Sequence, residues 1–291
     1  MFVIIFSLLT AIFSGLIRWT RKKFQMELFI KSLLILVVLS IVSAWNNWPN
    51  ITWSFSTSEP LSDQLFQAFF SAGLSIVFLS LAQALLIGST HNLMHSSMNI
   101  QKLSSPAKGV FIGIFISGSM KVFGIPFPDL EPVIGYWSAL SGRNAILGTI
   151  LQGLSGYIQL TLIVLVAVTG ISALTNNLTK RIPMGLVYFF LLGLAMASGI
   201  DGSLDLKLLW ILFGILFSII FFMIYSDLIR FQPEILPFIT GVMQILPIMA
   251  NGLLGLYPGI LIGSIFASIS IGVFSYGWYL ELTKLPTAKN K

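Results

Sequence analysis

LLWILFGILFSIIFFMIY, residues 208–225, carries no charge and is apolar on every side. A helix over this stretch has no polar face to offer water, which suits a peripheral helix set against lipid. The run is continuously apolar, without the two-residue alternation of a membrane barrel strand. Comparable runs recur from end to end of the 291-residue chain, which is 56% hydrophobic and only 9% charged. Soluble domains carry about 25% charged residues. Inside a bilayer only helices and closed barrels satisfy their own backbone hydrogen bonds. The expectation is therefore an all-α polytopic membrane protein, a single transmembrane domain over residues 1–291.

Nine spans fit: 2–17, 28–45, 66–89, 109–125, 145–173, 183–199, 208–225, 235–256 and 258–282. Charge orients them. Thirteen of the sixteen basic residues fall on one side; Lys121, Arg143 and Lys207 are the exceptions. Basic loops stay cytoplasmic, so the N-terminus is expected outside and the C-terminus inside, as an odd number of spans requires. Residues 2–17 have no basic residue before them and RWTRKK after them, the reverse of a secretory signal, and read as a first span. Trp19, Trp45, Trp48, Trp210 and Trp278 fall near span ends, where indole rings prefer the headgroup zone, while Trp53 and Trp137 lie in external loops at 46–65 and 126–144.

The absence of cysteine excludes disulfides, thiolate metal sites and cysteine nucleophiles. The net charge of +6 is absorbed by topology, and no basic stripe for nucleic acid is present. The only two histidines, His91 and His95, lie four apart in THNLMHSSMN (90–99), so one helix face could bring both imidazoles to a metal. A catalytic zinc site needs a third protein ligand and a nearby carboxylate. Asn92, Leu93 and Met94 separate the pair, and only Glu27, Asp227, Glu234 and Glu281 share its side of the membrane, each near a span end. A polar helix end is the favoured reading, and neither a metal nor a cofactor is expected.

No carboxylate falls mid-span, which argues against a proton-coupled carrier. Uncharged polar residues are more telling. Gly148, Gln152, Ser155, Gly156 and Gln159 share one face of the fifth span, and Gln244, Pro247 and Asn251 one side of the eighth. Amides in hydrocarbon need partners, so these faces should meet other helices or a wet cavity. Pro247 should kink its helix, with Gln244 or Asn251 satisfying the freed Met243 carbonyl. In the ninth span Gly259, Gly263 and Ala267 form one small-residue ridge, and Ser264, Ser268 and Gly272 the next.

WSFSTSEPLSDQ (53–64), FGIPFPDLEP (123–132), TKRIPMGLVYFFLLGL (179–194) and a tail containing YPGILIG (257–263) and YGWYLEL (276–282) together carry a likeness. They resemble the non-catalytic membrane portion of long bacterial proteins of the CPBP family, the CAAX protease-like intramembrane metalloproteases. The likeness spans most of residues 46–283. Of the family's signature, Glu-Glu-x-x-x-Arg, Phe-x-x-x-His and His-x-x-x-Asn/Asp, only the last is matched, at His95 and Asn99; no Glu-Glu pair occurs, and Ile87 stands four before His91. The resemblance implies a scaffold without the protease, a pseudoenzyme in a bacterial inner membrane. The expected function is a non-catalytic membrane protein, a scaffold or partner subunit whose contacts are lipid and another membrane protein. The alternatives are a small-molecule or lipid transporter using the faces around Gln152, Gln159, Gln244 and Asn251, or an intramembrane metalloprotease at His91 and His95.

Overall fold

The computed structural model describes residues 24–97, 105–124, 142–175, 232–254 and 258–283, with residues 212, 215–216, 218–220 and 222–229. Most of these residues are helical, with no strand among them. We label the helices α1 (Met26–Asn46), α2 (Trp48–Trp53), α3 (Leu61–Ser97), α4 (Pro106–Gly124), α5 (Ala145–Thr175), α6 (Leu236–Leu254) and α7 (Pro258–Thr283). A π turn, Tyr225–Ile229, and a 3-10 turn, Pro233–Ile235, precede α6. Five helices, α1, α3, α5, α6 and α7, are long and apolar enough to cross a membrane; α4 is apolar over the shorter stretch Pro106–Gly118. The expected spans at 2–17 and 183–199, and part of 208–225, lie outside the described residues.

Local chemistry sets several helix starts. Pro106 and Pro258 open α4 and α7, where a missing N–H costs nothing and φ is already helical. The Asn144 side chain accepts the Leu147 N–H at 3.1 Å and caps α5. In the first turn of α1, Lys31 Nζ meets Glu27 Oε1 at 2.7 Å on one exposed face. The structure adds helix beyond the span expected at 66–89. The loop expected at 46–65 contains α2, and α3 begins already at Leu61. Between them the buried Gln64 accepts the Ser56 N–H at 2.7 Å and donates to the carbonyls of Ser56 and Glu59 at 2.8 and 2.9 Å, clipping the turn to the helix. At its far end the span closes at Ser89 as expected while the helix runs on to Ser97, because polar residues beyond the hydrocarbon are free to stay helical.

The helices alternate in direction. α1 runs antiparallel to α3: Phe24 and Phe29 meet Gly88, Ser40 faces Ser80 at 3.4 Å, and Trp48, just past α1, stacks on Phe69. α4 runs parallel to α6, with Gly109 against Phe238 and Gly113 against Val242. α7 is parallel to α5, with Gly263 against Thr149 and Ile146, and antiparallel to α6, with Gly241 against Ser275 and Gly252 against Ser264. α5 packs on α1, α3, α6 and α7 and forms the hub. One apolar cluster joins α1, α3, the middle of α5 and α7 through Leu36, Leu85, Tyr157 and Ile271; another gathers Ile116, Leu165, Tyr225, Ile235 and Leu282 around the start of α6. The perimeter is apolar too, with Leu34, Val38, Phe70, Phe78, Phe111 and Ile269 all exposed. Apolar surface on that scale is excluded from water and belongs in lipid.

Candidate functional site

Of the polar residues that the sequence marks out, four converge where α5 meets α6. Gln152, Ser155 and Gln159 lie on one exposed face of α5. The Gln159 amide reaches back to the Ser155 hydroxyl at 3.5 Å, a long contact within the helix itself. Gly156 sits between them, and a side chain there would come within 2.5 Å of the Gln244 amide nitrogen. The missing Cβ thus lets Gln244, from α6, lay its amide at the edge of the α5 face. Asn251 lies two turns further along α6 and is half-buried. Among the described residues no hydrogen bond ties the side chains of Gln152, Gln244 or Asn251, so each amide keeps donors and an acceptor to offer. α6 stays helical through Pro247, and neither Gln244 nor Asn251 bonds the Met243 carbonyl.

A second polar group fills the interior behind this face. The hydroxyls of Thr161 and Thr240 meet at 2.8 Å, and each also lies within reach of a carbonyl of its own helix, Tyr157 at 2.7 Å for Thr161 and Leu236 at 3.1 Å for Thr240; with one proton apiece, one hydroxyl donates across the interface while the other donates to its carbonyl. Tyr157, on α5, and Ser275, on α7, bring two more buried hydroxyls to the same place. Gly241 makes the room, since a Cβ there would stand 2.5 Å from the Ser275 oxygen. The set leaves no periodic mark in the sequence because its members come from three different helices.

Positions 91 and 95 lie one turn apart on α3, which is helical through both; their side chains fall outside the described residues. Among the described residues no three His, Asp or Glu side chains gather as metal ligands. Glu27 is paired with Lys31, and Glu281, half-buried at the end of α7, lies close enough for its charge to act on Lys31. Glu234 is deeply buried, at 4% exposure, where the 3-10 turn meets the π turn and the end of α7. Tyr279, near the end of α7, lies close to it. A buried carboxylate there was not foreseen, since position 234 reads as a span end. The Gly259, Gly263 and Ala267 ridge faces α5, as small residues allow. Of the neighbouring ridge, Ser264 faces Gly252 whereas Gly272 has open space before it.

No protein-family model, no curated protein and no solved structure matches this chain.

Proposed function

We propose that this chain is a non-catalytic integral membrane protein that docks another membrane protein through the amide face of α5. The observation that carries the reading is the exposure of Gln152, Ser155 and Gln159 together on one face of α5, on a perimeter that is mostly apolar. Polar groups in hydrocarbon seek hydrogen-bonding partners, and a facing helix with polar side chains supplies them. An amide is both donor and acceptor, so a matching amide, serine or threonine on the partner suffices. A carrier would enclose such groups between its helices, whereas these lie on the outside.

The wider reading is a CPBP-like scaffold without the protease, in a bacterial inner membrane, with the ends of α1 and α7 that carry Glu27 and Glu281 on the cytoplasmic side. The alternating helix directions support its crossing pattern alone. α5 ends and α6 begins in the same layer, so an even number of crossings between them is needed, as spans 183–199 and 208–225 provide.

The test is co-purification from the native membrane. Replacing Gln152 and Gln159 by leucine should release a membrane protein that the wild type retains, while the variant's own yield and unfolding temperature hold. Retention of the same protein by the double variant would count decisively against the docking face.

A further inference from the structure

Arg143 is one of the three basic residues that break the charge asymmetry, and its surroundings explain why it stays. The end of α1 clasps the start of α5. The Asn46 carbonyl accepts the Arg143 N–H at 2.9 Å, and its side-chain oxygen accepts the Asn144 N–H at 3.0 Å. Gly142 packs directly on Asn46, where a Cβ would stand 2.5 Å from the amide nitrogen. With the backbone held on both sides, the Arg143 guanidinium lies over the Trp45 ring, 4.9 Å from its centroid. Both side chains are exposed, Trp45 at 52%. Among the described residues no carboxylate pairs with Arg143.

The depth of this pair follows from its neighbours. Trp45, Trp48 and Trp53 stand at the same end of the bundle, Trp53 at 90% exposure. Indoles collect at the headgroup layer, where the abundant anion is a lipid phosphate. A guanidinium stacked by one face on an aromatic ring keeps its N–H edges free, and its planar fork matches two phosphate oxygens.

We propose that Arg143, mounted on Trp45 and held by the Asn46 clasp, binds the phosphate of a phospholipid headgroup. This assignment rests on the membrane reading but not on which side is cytoplasmic. Native mass spectrometry of the full chain in detergent, titrated with dioleoylphosphatidylglycerol, tests it. Arg143→Gln should weaken binding of the tightest lipid by about tenfold, as loss of a charge-assisted pair implies. Arg143→Lys should fall between the two, because an ammonium keeps the charge and loses the stacked fork. Trp45→Leu should lower affinity while the backbone clasp survives. Lys31→Gln, in the opposite layer, should bind as wild type. Arg143→Gln binding lipid indistinguishably from wild type overturns the assignment, and so does inorganic phosphate binding as tightly as the lipid. A chain that cannot be reconstituted into liposomes would instead overturn the membrane reading itself.

Discussion

Gly113 shows what one missing methyl group does in this bundle. A Cβ added there would stand 2.8 Å from the Val242 Cβ and 2.9 Å from the Ile239 carbonyl oxygen, and Gly109 meets Phe238 and Ile235 in the same way one turn earlier. A carbonyl inside a helix cannot swing aside, so α4 would have to back away from α6. Between apolar helices in lipid, close packing is a main source of association, and that retreat forfeits it. Gly113→Ala should therefore lower stability by about 1–3 kcal/mol, read as thermal unfolding in detergent. Gly73→Ala has nothing within 4 Å to meet and should be neutral or slightly stabilising, by up to about 1 kcal/mol, because glycine is a poor helix former. Equal losses at both sites would mean that the α4–α6 approach is not tight. The Gly-x-x-x-Gly of α4 is plain in the sequence once its neighbour is known. Before that it is one small-residue pair among many.

Among the elements, α5 and α6 do different work on their two sides. Inward, Thr161 and Thr240 share a hydrogen bond across the interface. Such bonds between membrane helices are worth about 0.6 kcal/mol on average, because the separated helices also find partners. A double-mutant cycle with Thr161→Val and Thr240→Val should return a coupling of that order, and a coupling of zero would make the pair incidental. Outward, Gln152 and Gln159 were legible from their three- and four-residue spacing, which puts them on one face whatever surrounds the helix. That Gln244 joins them was not legible, since it depends on Gly156 leaving room for it. The full length of the helix α3 was not legible for a related reason. Its 37 residues reach about 55 Å, well beyond a hydrocarbon core of about 30 Å. Hydropathy marks where lipid ends, whereas the helix ends only where its backbone bonding does.

At the scale of the whole molecule, the alternating helices separate chain positions into two layers, and the absence of native cysteine makes this simple to probe. A single cysteine introduced as Ser58→Cys, between α2 and α3, should react with an impermeant maleimide on intact cells. Ser105→Cys, at the start of α4, should react only after permeabilisation. The opposite pattern would invert the orientation, and labelling of both on intact cells would break the layering. The separation arises because each membrane crossing reverses the chain, and neighbouring crossings pack side by side over their whole length.

Composition and the length of the apolar runs determined by themselves that this chain is helical and suited to lipid, because a bilayer leaves the backbone almost no other choice. The spacing of Gln152 and Gln159 likewise determined a shared face, since helical geometry is local. Which face meets which helix was decided only by the tertiary structure: Gly113 against Val242, Gly156 beneath Gln244, Arg143 over Trp45. Those contacts join residues tens of positions apart, and in a chain so uniformly apolar hydrophobicity cannot rank one helix pairing over another. Steric fit between small and large side chains selects the pairing, and that fit exists only once both surfaces are in place.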